Sequence, residues 1–123
     1  MKHADHLVSE LQILQMLQKI GNSPFIVDFQ GSFKTSENLY FVLEYVKGCT
    51  LHSQIKQKNQ QISRNVDFYA KQVIEALQFL HKNKIVYRDL KPENIMLSAT
   101  HNGHIKLVDF GFAKVLPRRR AGI

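Results

Sequence analysis

Tyr87-Arg88-Asp89-Leu90-Lys91-Pro92-Glu93-Asn94, followed downstream by Asp109-Phe110-Gly111, is the stretch on which the reading of the fold turns. The two pieces read as acidic loops. The pattern Arg-Asp-Leu-x-x-x-Asn plus Asp-Phe-Gly fixes seven letters. At roughly one-in-twenty usage each, a chance match at loose spacing comes at about one in a million. The alternative is a pair of acidic surface turns.

Working outward, Ile95-Met96-Leu97 and Ile105-Lys106-Leu107-Val108 read as two short strands, with Asn102-Gly103 in the turn between them. A loop–strand–turn–strand path folds back on itself. It brings Asp89, Asn94 and Asp109 toward one cleft, although 20 residues separate the first from the last. Upstream, residues 63–83 read as the strongest helix, with Ser63 as N-cap and Val66, Tyr69, Ala70, Val73, Ile74, Leu77 and Leu80 as a wide apolar face. Thr50 to Lys58 reads as a shorter helix with Leu51 and Ile55 on one side. Phe25–Phe33 and Leu39–Tyr45 read as strands joined by a turn at 34–38. In the second, the run Leu39-Tyr40-Phe41-Val42-Leu43 is apolar and aromatic throughout, so it is expected to be covered on both faces. Glu44 to Gly48 reads as an extended linker between lobes. Residues 5–20 carry Leu7, Leu11, Leu14 and Leu17 at helical spacing, and Gly21-Asn22-Ser23-Pro24 ends that helix.

The loops suit phosphoryl transfer, which needs a phosphate held in line, its charge neutralised by Mg²⁺, and a nucleophile oriented. Asp109 is the hard carboxylate that Mg²⁺ prefers, and Asn94 offers a neutral oxygen for a second ion. Asp89 is placed to accept a hydrogen bond from a substrate hydroxyl. Lys91 can reach a phosphate oxygen as a point charge.

On these motifs the sequence resembles the protein kinase family over residues 4–116. Asp-Leu-Lys-Pro-Glu-Asn looks like the serine/threonine form of the catalytic loop. Tyr87 and Asp-Phe-Gly-Phe-Ala-Lys are similar to the AGC group, in its cAMP-dependent branch, as are Phe25-Ile26-Val27, Asn38-Leu39-Tyr40 and Leu43-Glu44-Tyr45-Val46. The resemblance implies an α+β, partial two-lobed fold. Residues 1–44 would be the end of a small lobe, with a regulatory helix and two strands. Residues 45–116 would be the hinge and first part of a large lobe, and 117–123 a divergent basic tail. It implies ATP and Mg²⁺ as cofactors and a protein substrate as partner, with a kinase regulator or scaffold as a further partner.

It also implies roles. Glu10 resembles the glutamate that pairs with an ATP-positioning lysine; an ordinary solvated helix carboxylate is the alternative. Leu43 resembles the gatekeeper, and backbone groups of Glu44 and Val46 would bind the adenine edge, with simple apolar burial as the alternative. Met96 would pack under the adenine. Leu14, Phe29, Tyr87 and Phe110 would stack as an apolar spine. Arg88 resembles the arginine that pairs with an activation-loop phosphate. Glu93 resembles a reader of basic substrates, or else is simply solvated. Thr50 falls where close relatives carry a ribose-contacting glutamate. No Gly-rich loop or Val-Ala-x-Lys strand precedes residue 5, and no Ala-Pro-Glu follows residue 114, so the chain reads as part of a longer domain. The expectation is a protein that is weak or inactive in isolation, marginally stable or oligomeric, because the long helix would leave its apolar face uncovered. A non-catalytic binder of regulators or scaffolds is the second reading.

The bulk numbers agree with a packed chain. Its 123 residues are 44% hydrophobic and 22% charged. Net charge is +7, three of those charges from Arg118-Arg119-Arg120. There is no basic stripe with interleaved aromatics, so no nucleic-acid partner is expected. No apolar run is long enough to cross a membrane, and the start lacks a secretory core, so no membrane partner is expected. The single cysteine, Cys49, reads as a packed or idle thiol in a loop and fits a reducing, cytoplasmic compartment, with the nucleus as an alternative. His101 and His104 have no partner pattern for zinc.

Overall fold

The computed structural model describes residues 2–21, 23–100 and 103–117, with side chains from residue 7 onward. The basic tail beyond Pro117, His101 and Asn102 lie outside the described residues.

Leucine, glutamine and lysine are good helix formers, and α1 runs over Lys2–Ile20, three residues earlier than the apolar spacing indicates. It ends where Gly21 takes φ +93, a conformation that costs glycine little. The stripe is shifted from expectation. Ile13, Leu14 and Leu17 are buried, while Leu7 and Leu11 are only half-buried.

The first strand is shorter than the sequence suggests. β1 covers Phe29–Lys34 and pairs antiparallel with β2, Leu39–Leu43, with Lys34 opposite Leu39. The turn between them is closed by Thr35 N–H donating to the Asn38 carbonyl, 2.8 Å. Residues 25–27 are not part of that strand because their backbone is bonded elsewhere. Leu107 N–H donates to Phe25 O (2.8 Å) and Val27 N–H to Leu107 O (3.0 Å). The expectation that Leu39–Leu43 is covered on both faces is corrected. Tyr40, Val42 and Leu43 are exposed, and Tyr40 stacks on exposed Phe33 at 4.8 Å. The hairpin turns one side to the core, with Phe29 buried and Phe41 packed against that cluster.

A three-stranded antiparallel sheet, β3–β5–β6, forms the centre. β3 is Gly48–Thr50, β5 is Ile95–Ser98 and β6 is Ile105–Leu107. Cys49 lies in β3, opposite Leu97, rather than in a loop. Gly48 is required there: a Cβ would sit 1.9 Å from the Leu97 carbonyl oxygen. Thr50 then caps α2, Leu51–Lys56, its hydroxyl accepting from Ser53 N–H at 3.0 Å.

The single helix expected over 63–83 is two helices. α3 spans Gln60–Arg64, capped by Asn59, and α4 spans Val66–Lys82. Ser63 lies inside α3 and caps nothing. The chain breaks at Asn65, whose side-chain amide and backbone N–H both turn back to Gln61 O, an alternative that asparagine offers the backbone. The buried face of α4 overlaps the expected one only in part: Leu80 is fully buried and Tyr69, Val73 and Leu77 are partly so. Gln72, Ala76 and Leu80, spaced four apart, face the sheet. Gln72 is buried because its amide oxygen accepts from Ile105 N–H (2.9 Å) and meets His104 Nδ1 (3.1 Å). The rest of the expected face, from Val66 to Leu77, lines an open groove of about 420 Å³ with Leu51, Ile55, Ile62 and Leu90. Finally, β4, Ile85–Val86, pairs with β7, Lys114–Val115, returning the chain after Asp109-Phe110-Gly111 to the foot of the Tyr87–Asn94 loop.

Candidate active site

The site starts from two buried aromatic rings. Tyr87 and Phe110 are each 1% exposed and meet edge to face with centroids 5.1 Å apart. The Tyr87 hydroxyl donates to the Val108 carbonyl, which fastens the first loop to the residue before Asp109. Burial, with Asp109 and Asp89 nearby, pushes the phenol well above its ordinary range, so it stays a donor. Leu14 and Phe29 are buried in the same core. The order is therefore a rigid apolar floor first, with polar groups set on it.

On that floor, Pro92–Asn94 forms one 3-10 turn, which suits proline at a helix start. It delivers Asn94, 5% exposed, to Asp89. Asn94 Nδ2 donates to the Asp89 carboxylate at 2.8 Å and to its backbone carbonyl at 3.0 Å. The Asn94 carbonyl accepts from Val108 N–H at 3.1 Å. One side chain and one backbone group of Asn94 thus bridge both acidic loops. Lys91 Nζ lies 3.6 Å from Asp89 and is half exposed, a contact of low value to stability.

Asp109 is exposed and has φ +54, and Arg88 has φ +65. Of the four described non-glycine residues with left-handed backbone, Lys58, Lys84, Arg88 and Asp109, the last two lie here, and such positions are uncommon and enriched at working sites. The Asp109 carboxylate accepts from Gly111 N–H at 3.0 Å with one oxygen, Oδ1. Arg88 Nε donates to Phe112 O at 2.8 Å. Glu10 comes close enough to Asp109 to feel its charge. Burial, then that charge, raises its carboxyl pKa above the ordinary value, with the Phe110 backbone opposing. No cation pairs with Glu10 among the described residues.

At the other end of the sheet, β3 sets Thr50 opposite Met96, so the linker carrying Leu43, Glu44 and Val46 joins directly to the strand that follows Asn94. Glu44 is pinned by Lys106 at 2.6 Å, a contact between residues 62 apart that local spacing does not reveal. Glu93 is half exposed and 3.9 Å from His52.

Asn94 and Asp109 are the residues that could hold a metal ion here. Asn94 uses its amide nitrogen on Asp89, which leaves its amide oxygen as the remaining acceptor. Among the described residues no three His, Cys, Asp or Glu side chains make a metal cage. Two protein oxygens with phosphates and water completing the shell is the arrangement Mg²⁺ usually takes.

The protein kinase domain family model matches residues 1–121. The chain is 41% identical over 114 residues to the cAMP-dependent protein kinase catalytic subunit of Dictyostelium discoideum, covering 93% of this chain and 17% of that protein. It is 39% identical over 117 residues to cAMP-dependent protein kinase type 3 of Saccharomyces cerevisiae, covering 95% and 28%. It is 40% identical over 110 residues to the RAC family serine/threonine-protein kinase homolog of Dictyostelium discoideum, covering 89% and 23%. The chain thus spans less than a third of the length of these relatives, and it belongs to the protein kinase domain family.

Proposed function

We propose that this chain carries the catalytic and metal-binding loops of an ATP-dependent protein serine/threonine kinase. The observation that carries the proposal is the Asn94 bridge. It holds the Asp89 carboxylate through Nδ2 and ties Val108, the neighbour of Asp109, through its carbonyl. In this reading ATP supplies the phosphoryl group and Mg²⁺ neutralises its charge. Asp89 orients the substrate hydroxyl and accepts its hydrogen bond. Lys91, exposed beside Asp89, meets a phosphate oxygen. Asn94 and Asp109 supply metal oxygens. Leu43, the Glu44 and Val46 backbones, and Met96 form the base site. Glu93 faces basic residues of a protein substrate, and Arg88 waits for an anionic partner on an activation segment. Leu14, Phe29, Tyr87 and Phe110 keep the two loops in register from beneath. Residues 1–44 and 45–116 act as the two sides of the hinge.

As a 123-residue polypeptide the transfer is expected to be weak, because the charged neighbour of Glu10 is the anion Asp109 rather than a lysine. The test is transfer of labelled γ-phosphate to a basic peptide, together with Mg·ATP binding by calorimetry. Binding lost in Asp109→Ala supports the reading. Binding unchanged in Asp109→Ala and Asn94→Ala sinks it.

The second reading, a non-catalytic binder of regulators or scaffolds, draws on the open apolar groove of α2–α4. It predicts a bound protein partner without nucleotide affinity. No helix among the described residues is long and apolar enough to cross a membrane, and a cytoplasmic site of action is part of the proposal.

A further inference from the structure

We infer that Lys106 is a positioning residue: a strut that fixes the hinge segment 44–46 against the strand leading to Asp109. Lys106 Nζ lies 2.6 Å from Glu44 Oε1 across 62 residues of sequence, and both side chains are largely buried, 16% and 22% exposed. The same Oε1 accepts from Asp28 N–H at 2.9 Å, and Glu44 N–H donates back to Asp28 O at 2.9 Å. Residues 25–27, just before Asp28, are in turn bonded to Leu107, the neighbour of Lys106. A closed ring results: β6, the 25–28 segment, the hinge glutamate, and β6 again.

Charge-assisted bonds of this length in a partly desolvated site are stronger than neutral ones and less screened by salt. Lys106 precedes Asp109 by three residues. One strut therefore sets the spacing between the base-reading and the metal-reading ends of a bound nucleotide. This last consequence rests on the function proposed above. An ion pair that only added stability would affect every ligand alike. A strut that sets the hinge relative to Asp109 matters most to a ligand that engages both ends, and little to one that engages the metal end alone.

The experiment compares the whole 123-residue chain with Lys106→Met, Lys106→Arg, Glu44→Gln and the Glu44→Gln/Lys106→Met pair. The first readout, without nucleotide, is amide hydrogen exchange. Lys106→Met is expected to speed exchange at Asp28 and residues 44–46 about tenfold more than at β5 and β6. Lys106→Arg restores most of the protection, and the double variant is little worse than either single one. Should Lys106→Met fail to fold, Glu44→Gln, which keeps the side-chain shape, reads the same bonds. Exchange that rises uniformly, or not at all, overturns the strut. The second readout is affinity for Mg·ATP against Mg·tripolyphosphate. Lys106→Met should weaken the first about tenfold and the second by no more than about twofold. Equal weakening of both overturns the inference. If the parent chain binds neither ligand while hinge exchange still responds, the strut stands and the proposal that this chain holds Mg·ATP falls.

Discussion

Two faces of the same helix–sheet unit behave in opposite ways. On the loop side of the sheet, Tyr87, Phe110, Ile105 and Leu107 are almost fully buried, and the polar groups above them are bonded to one another. On the outer side of α4, Val66 and Ile74 are more than half exposed, and Leu90 nearly so. Both faces are apolar in sequence. What separates them is whether the described chain supplies a covering element. Where it does, an apolar floor holds acidic groups still. Where it does not, the face remains a groove, and hydrophobic surface left in water forfeits the burial gain.

The comparison can be broken most decisively at the floor. Phe110→Ala is expected to cost about 3–5 kcal/mol, a large part of the roughly 5–15 kcal/mol that holds a domain. Chemical denaturation should then lose its cooperative transition. A loss under about 1 kcal/mol would show that the Tyr87–Phe110 floor is not what organises the loops. Next comes Asn94→Ala, which leaves the Asp89 carboxylate without its amide donor. About 1–3 kcal/mol should be lost in urea midpoints at constant slope. Activity, if present, should fall further than stability does.

The groove offers the contrasting case. Ile74→Lys should change stability by no more than about 0.5 kcal/mol, because the side chain is exposed. Light scattering should show more monomer if that face drives self-association. A large stability loss instead would mean the face is covered in solution.

The smallest expected effect is Glu10→Gln. Burial and Asp109 raise the folded-state pKa of Glu10 above its ordinary 4.5. The folded state therefore holds the proton more tightly than the unfolded state. Its contribution is fully present below that ordinary value and is lost as pH rises through the folded one. The variant should match the parent at low pH and be slightly more stable above that window. A parent that is more stable than the variant at neutral pH would mean that Glu10 has gained a cationic partner.

Much of the site could be read from residue identities alone. Asp89, Asn94 and Asp109 were placed on two loops by their motif, and the strands at 95–98 and 105–107 follow from short apolar runs around a turn. The helix break at Asn65 was not legible, because a continuous apolar spacing hides a side chain that bonds the Gln61 carbonyl four residues back. The burial of Gln72 was not legible either. Only the passing of Ile105 N–H, 33 residues away, makes a glutamine acceptable there.

By itself, then, the sequence determined the local chemistry: which groups accept protons or metals, where chains turn, and which stretches are apolar. Local spacing is enough for that, since turns and motifs involve neighbours. Only the tertiary structure decided which apolar face is buried, that 25–27 bonds to β6 rather than extending β1, and that Lys106 meets Glu44. Those outcomes depend on contacts between distant segments, whose backbone bonds and desolvated charges are satisfied only once the whole arrangement is in place.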